Sequence, residues 1–261
     1  ALYEGQMGVD TNYTVSLSIM SENGCADESS FNIIVHPTPV TGLSMGTASS
    51  CAETEAIIYN EPLFADSVVL SLGNGSTLFN SGSSNIPVTY SNESASDLDV
   101  TVTQDVFTHF GCSATTSVLH TVHPKVTAAI ETPAATCTPA LVQLGNNSIN
   151  ANGSALWLFG DGNSSSASAP EYLFSSESTL DTTYTVTLVA QSTAGCSDTA
   201  FVDMVVWGTP STEVSLNNLE GCYPLEVTFE NSSLGHTAST WAYGNGDTSS
   251  TNDSLHSKIF Y

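Results

Sequence analysis

Apolar and polar residues alternate with a period of two through much of this chain. From Tyr184 onward, Tyr184, Val186, Leu188 and Ala190 fall on one face and Thr185 and Thr187 on the other. That rhythm predicts an antiparallel strand with one face on a core and the other in water. It returns in Tyr13, Val15, Leu17 and Ile19, and in Leu98, Val100 and Val102. Apolar closing runs follow at 31–35 and 201–207, and Gly160-Asp161-Gly162 after Trp157-Leu158-Phe159 reads as a tight turn. No segment keeps an apolar period of 3.6, so almost no helix is expected.

The pattern repeats. Gly-Cys steps place Cys25, Cys112 and Cys196 at separations of 87 and 84 residues. A second cysteine series, Cys51, Cys137 and Cys222, is spaced by 86 and 85, and Pro39, Pro124 and Pro210 keep step with it. Three markers sharing a period of about 86 residues predict a tandem array. Residues 1–37 match only the second half of a unit, and 210–261 only the first half. Residues 38–123 and 124–209 match whole units. The chain is therefore expected to be a window on a longer array, with half-units that need further sequence to close.

One whole unit, from the aromatic-Gly-Asp-Gly turn through the Tyr184 strand to Gly195-Cys196-Ser197-Asp198, resembles the PKD domain. The other units follow it more weakly: Leu70 and Gly73-Asn74-Gly75 stand in the second, Trp241 and Gly244-Asn245-Gly246 in the last. The resemblance implies an all-β fold of tandem immunoglobulin-like sandwiches. It implies that Trp157, Trp241 and Leu70 fill sandwich interiors, and that Tyr13 and Tyr184 are corner residues with anchored hydroxyls. It also implies a calcium reading for Asp161, as in the oxygen-rich loops of some PKD arrays. Against that reading, Asn74 and Asn245 replace the acid in the other units, and no DxDxDG pattern supplies the six to eight oxygens calcium takes. No cofactor is expected, with calcium at Asp161 the one candidate.

Composition narrows the partners. The chain carries 26 acidic residues against Lys125 and Lys258 alone, for a net charge of −24. Such a surface repels phosphate backbones and anionic lipid heads, so neither nucleic acid nor direct membrane insertion is expected. No apolar run approaches the roughly 20 residues that span a bilayer. The scarcity of Lys and Arg also removes nearly every trypsin-type cleavage site, as suits an extracellular protein, although acid-rich proteomes of saline habitats share the bias.

Paired cysteines in a secreted β protein read as disulfides. Pairing within a unit would join Cys51 to Cys112 and Cys137 to Cys196. In an immunoglobulin-like sandwich these positions lie at opposite ends, more than roughly 20 Å apart, whereas a disulfide needs Cα atoms within about 7 Å. Pairing between neighbouring units, Cys51 with Cys196, is favoured, leaving Cys25, Cys112, Cys137 and Cys222 for partners elsewhere. The six histidines form no metal cluster, and His36 and His123 read as linker residues.

Asn-x-Ser/Thr triplets begin at Asn12, Asn74, Asn92, Asn146, Asn152, Asn163, Asn231 and Asn252. Asp-Ser/Thr steps make Ser67, Thr182, Thr199 and Ser254 candidate O-glycosylation sites of the Bacteroidota type. No nucleophile elbow, HExxH, P-loop or dinucleotide fingerprint occurs, so no enzyme is expected.

The resemblance implies a structural or adhesive stalk of a giant secreted protein at the bacterial cell surface, similar to adhesins of gliding Bacteroidota exported by type IX secretion. Its partners would be other repeats of the same chain, surface polysaccharide or other cell-surface proteins. Two alternatives are a spacer or binding module of an extracellular hydrolase, and a filament subunit packed laterally through an exposed apolar strand face. If the end segments are open halves, backbone amides in 1–37 and 210–261 will exchange faster than those of the middle units at low concentration. Equal protection throughout would contradict the half-unit reading.

Overall fold

The computed structural model describes residues 8–80, 83–131 and 133–261. Residues 1–7 of the 1–37 segment lie outside that set. The described residues form 24 strands and no helix. They gather into two compact units, Ala1–Lys125 and Val126–Tyr261.

In the first unit, β1 (Thr11–Met20) and β2 (Ala26–Val35) form an antiparallel hairpin. The strands β3 (Leu43–Met45), β4 (Ser49–Cys51), β5 (Glu55–Asn60), β6 (Ser67–Ser71), β7 (Thr77–Asn80), β8 (Ser84–Thr89), β9 (Leu98–Phe107) and β10 (Ser113–His123) follow. They make a five-stranded sheet in the order β4-β10-β9-β6-β7 and a three-stranded sheet β3-β5-β8. Ile58 and Val88 from the smaller sheet share one core with Leu70, Val100, Val102 and Val122 from the larger. Two mainly antiparallel sheets closing on a common apolar layer make this a β-sandwich of immunoglobulin-like type. The edge strand β4 joins β10 in parallel, with Cys51 opposite His123.

The second unit repeats the design. It contains β11 (Ile130–Glu131), β12 (Thr136–Cys137), β13 (Ala140–Gln143), β14 (Gly145–Asn146), β15 (Ala155–Leu158), β16 (Ser164–Ser165), β17 (Glu171–Phe174), β18 (Thr182–Gln191) and β19 (Ser197–Trp207). Its main sheet runs β12-β19-β18-β15-β16, the order seen in the first unit, and β13-β17 and β11-β14 are two-stranded pieces. Trp157, Leu188, Ala190, Met204 and Val206 are fully buried. After them come β20 (Val214–Leu216), β21 (Leu225–Asn231), β22 (Thr240–Ala242), β23 (Thr248–Ser250) and β24 (Leu255–Phe260). These form the sheet β20-β21-β24 and a separate hairpin β22-β23. They match β3-β5-β8 and β6-β7, with no long hairpin paired to them among the described residues.

The long hairpins share one turn. Gly24, Gly111 and Gly195 all have φ between 83° and 88°. Each donates its N–H to the residue three back, and Ser21, Thr108 and Ser192 each bond the following cysteine carbonyl. Counting from these turns sets Leu17 beside Gln104 and Leu188, and Ile19 beside Val106 and Ala190. The contrast in burial is large. Leu188, Gln104, Val106 and Ala190 are wholly buried, whereas Leu17 is 63% and Ile19 59% exposed. The same pattern of side chains is a core face where a second sheet covers it and an open apolar face in β1–β2.

That contrast yields a stability prediction. Leu188→Ala should cost about 2–5 kcal/mol in urea unfolding of the second unit, as for other buried leucines. Leu17→Ala, at the matching place on the open hairpin, should cost less than about 0.5 kcal/mol, as for exposed sites.

Candidate functional site

The Gly160-Asp161-Gly162 segment is a tight turn between β15 and β16, closed by the Phe159 N–H to the Asn163 carbonyl at 3.1 Å. Gly160 has φ 83°, and a Cβ there would lie 2.8 Å from the Thr185 carbonyl on β18. Glycine is thus required both by handedness and by the closeness of β18. The Asp161 carboxylate is engaged at both oxygens. Oδ1 accepts from the Asn163 N–H at 2.9 Å, and Oδ2 accepts from Asn163 Nδ2 at 3.0 Å and the Tyr172 hydroxyl at 2.5 Å. Partial burial pushes the Asp161 pKa up, but these hydrogen bonds, Tyr172 foremost, together outweigh it and hold the carboxyl below its ordinary value. The Tyr172 hydroxyl is correspondingly raised by its bond to that carboxylate. Among the described residues, no group of three or more His, Cys, Asp or Glu side chains is arranged to hold a metal ion.

Tyr184 donates its hydroxyl to the Ser175 carbonyl at 2.7 Å. Trp157 is buried and donates Nε1 to the Ala167 carbonyl at 3.1 Å. Both act as supports of the sandwich.

A repeated clasp escaped the sequence reading. His36 Nδ1, just past β2, lies 2.8 Å from Asp10 Oδ1, just before β1. His123 Nδ1 lies 2.9 Å from Asp97 Oδ1, and Gly208 donates its N–H to Asp181 Oδ1 at 3.1 Å. In each case an aspartate ahead of the first hairpin strand ties down the end of the second. Asp10, Asp97 and Asp181 are spaced by 87 and 84 residues, as the Gly-Cys steps are. That shared spacing was the available signal. His123 is therefore the last residue of β10 and not part of a linker. His36 also stacks on Phe110, with ring centroids 3.4 Å apart. His120, fully buried, joins β10 to β4 through Ser50 Oγ at 2.9 Å from its Nε2.

Cys51 and Cys196 are disulfide-bonded, and Cys25, Cys112, Cys137 and Cys222 are free thiols. Cys51 pairs with His123 at one end of β10, and Cys112 directly precedes Ser113 at the other. Cys137 pairs with Trp207 at one end of β19, and Cys196 directly precedes Ser197 at the other. Both strands have 11 residues. Each sandwich therefore holds its two cysteines roughly 35 Å apart, at about 3.3 Å per residue.

Of the candidate O-glycosylation residues, Ser67, Thr199 and Ser254 are exposed, and Thr182 is half-buried with its hydroxyl 2.9 Å from that of Ser176. The aspartates preceding them already accept protein hydrogen bonds: Asp66 from the His109 backbone and ring, Asp181 from Gly208, and Asp198 from Ala128. Asn92 is buried, with Nδ2 donating to the Ser96 and Val122 carbonyls, so its triplet is inaccessible in the folded protein.

No family model and no curated protein matches the chain. Solved structures that align with the chain include a tetra-tandem repeat from the extending region of a large adhesion protein. It is 17% identical with a TM-score of 0.29, over 96% of this chain and 73% of that one. A calcium-stabilised adhesin of an Antarctic bacterium is 12% identical with a TM-score of 0.35, over 95% and 73%. Cadherin domains 3–6 of protocadherin gamma B2 are 12% identical with a TM-score of 0.32, over 88% and 69%. The fold itself stands on the strand order and shared core described above. Among the described residues no helix is long and apolar enough to cross a membrane.

The Asp161 turn has a defined pH dependence. Its carboxyl titrates below the ordinary value when folded, so its contribution is complete above about pH 4 and is lost as pH falls through the lowered value. Tyr172→Phe should remove about 0.5–1 kcal/mol at neutral pH, discounted for exposure, and progressively less as pH falls through that lowered value. Urea unfolding at neutral pH and down through the acid range measures the difference; a loss that does not change with pH would contradict it.

Proposed function

We propose that this chain is a stretch of a mechanical and adhesive stalk in a large extracellular protein of the bacterial cell surface. In this reading its parts are PKD-like repeats: a second half at 1–37, whole units at 38–123 and 124–209, and a first half at 210–261. The parent protein would be a Bacteroidota adhesin exported by type IX secretion and serving attachment or gliding. Its repeats would contact their neighbours in the same chain and present an acidic surface to polysaccharide or protein partners. The observation that carries this reading is the recurrence of one sheet order and one buried hairpin face in both units.

The oxidised cysteines supply the mechanical element. Cys51 and Cys196 bond to one another in this proposal, so a pulling force would pass through the sulfur bridge and bypass the sandwiches between them. Lys125, whose ammonium lies 2.9 Å from Glu53 and 3.6 Å from Glu93, sits in the linker after β10. The linker is thus held to the first sandwich by charge as well as by the Lys125 N–H to the Asn92 carbonyl.

Pulling single molecules from both termini tests the bridge. It would shield about 145 residues, so the oxidised chain should stop roughly 500 Å short of the reduced chain, at about 3.5 Å per residue. Equal final lengths would remove the mechanical reading. Peptide mapping without reduction should recover Cys51 joined to Cys196; a Cys51–Cys112 or Cys137–Cys196 peptide would contradict it.

A further inference from the structure

Asn-Gly steps occur at Asn23, Asn74, Asn152 and Asn245. Each carries a latent reaction, because glycine has no Cβ to keep its nitrogen from the side-chain carbonyl carbon of the asparagine before it. The nitrogen bonds to Cγ and gives up its proton to solvent. The bond from Cγ to Nδ2 breaks, and Nδ2 takes a proton from water and leaves as ammonia. The cyclic imide then takes up water and opens to an aspartyl or an isoaspartyl residue. One water is consumed, one ammonia is released, and the new carboxyl ionises at neutral pH. A folded chain permits this where the carboxamide folds forward over the next nitrogen and that nitrogen is not already hydrogen-bonded.

The folded protein separates two identical tripeptides on this point. Asn74-Gly75-Ser76 and Asn152-Gly153-Ser154 are both Asn-Gly-Ser, and both asparagines are exposed. Asn74 Oδ1 accepts the Ser76 N–H at 3.0 Å, which folds the carboxamide over Gly75 and polarises its carbonyl. Neither the Gly75 N–H nor Asn74 Nδ2 makes a hydrogen bond among the described residues. Asn152 Oδ1 is instead drawn to the β18–β19 turn, accepting from the Thr193 N–H at 2.9 Å and Thr193 Oγ1 at 3.3 Å. The Gly153 N–H is tied to the Gln191 carbonyl at 2.8 Å. The Gly24 N–H after Asn23 is likewise tied to the Ser21 carbonyl at 3.0 Å. Asn245 folds forward onto the Asp247 N–H at 3.0 Å, but its Nδ2 is held by Asp247 Oδ2 at 2.9 Å.

The third repeat shows that the turn also takes the product. Asp161 stands where Asn74 does, and its Oδ1 accepts the Asn163 N–H at 2.9 Å just as Asn74 Oδ1 accepts that of Ser76. The flanking glycines match as well, with φ 78° and 90° at Gly73 and Gly75 against 83° and 95° at Gly160 and Gly162. We propose that Asn74 is a site of spontaneous deamidation, where the folded second repeat converts its Gly-Asn-Gly turn to the Gly-Asp-Gly turn that the third repeat encodes. The reactant is the chain's own amide, water is the co-reactant, and every conversion adds negative charge to an acidic surface. An isoaspartyl product adds an atom to the main chain of a turn closed by the Leu72 N–H to the Ser76 carbonyl at 2.9 Å, and so opens it. The reaction is independent of the stalk reading.

Ageing the full chain at neutral pH in water enriched in oxygen-18, followed by peptide mapping, tests this. The Asn74 peptide should acquire the mass of an acid with one labelled oxygen. It should do so at least roughly tenfold faster than the Asn152 peptide, whose reaction must first open several hydrogen bonds. In urea the two identical tripeptides should convert at similar rates, which separates the effect of the fold from that of sequence. Raising the pH should speed the reaction, because the attacking nitrogen must lose its proton. Asn74→Asp should keep the wild-type circular dichroism and urea midpoint, and Asn74→Gln should abolish labelling of that peptide. Equal rates at Asn74 and Asn152 in the folded chain, an Asn74 that keeps its amide while the unfolded chain loses it, or an Asn74→Asp chain that loses the fold would each overturn the proposal.

Discussion

The structure depends on covering one face of a long β-hairpin. Ten- and eleven-residue strands set alternate side chains on a surface that water disfavours, at about 1.5–3 kcal/mol for each large residue left uncovered. Neither strand can hide that face alone, because the pleat places all of it on one side. The short hairpins pair beside β9 and β18 and widen it, while the small sheets exist to cover it. Where they do, Val102, Val186, Leu188 and Met204 reach zero exposure. In β1–β2 the same alternation survives with no second sheet over it among the described residues, and backbone pairing between the two strands is complete along its whole length. Hairpin geometry is therefore set by local pattern and turn chemistry, while burial is set by what lies opposite.

The other face shows how an acidic protein with two cations accommodates its carboxylates. On the water side of the long hairpins, Thr115 donates to Asp105 at 2.6 Å, Thr121 to Asp99 at 2.7 Å and Thr185 to Asp203 at 2.8 Å. These are cross-strand pairs in direct register. Hydroxyls and backbone N–H groups do what Lys and Arg do elsewhere, and such bonds are less exposed to salt screening than surface ion pairs. The aspartate clasps at Asp10, Asp97 and Asp181 extend this to the ends of the hairpins. Lys258, the second cation, is 2.8 Å from Asp247 and holds that carboxyl below its ordinary value.

Much of the fold was legible because period-two alternation and turn glycines are local signals. The β18 strand and the Gly160-Asp161-Gly162 turn could be read from residues close in the chain, whereas the buried Trp157 and the Tyr184 anchor followed from the resemblance of the whole unit. What could not be read came from distant pairings. Tyr90, whose hydroxyl donates to the Leu72 carbonyl at 2.8 Å, carries no local sign of that bond. His120 looked like any strand residue until β4 was placed beside β10. Asn92 looked like a sugar acceptor because a triplet says nothing of burial. The clasps were readable in principle, since their spacing matched that of the cysteines, but an aspartate among 26 acids draws no notice.

Strand length also decides what the cysteines can do. A sandwich whose central hairpin is 11 residues long puts the residue at its turn and the residue beside its far end at opposite poles. The parallel pairing of β4 with β10, and of β12 with β19, fixes Cys51 and Cys137 at the pole away from the turn. Bonds within a sandwich would need the hairpin to be about a fifth of its length, since Cα atoms must approach to within about 7 Å. The same length that gives each hairpin a large face to bury thus keeps its two cysteines at opposite poles of the sandwich.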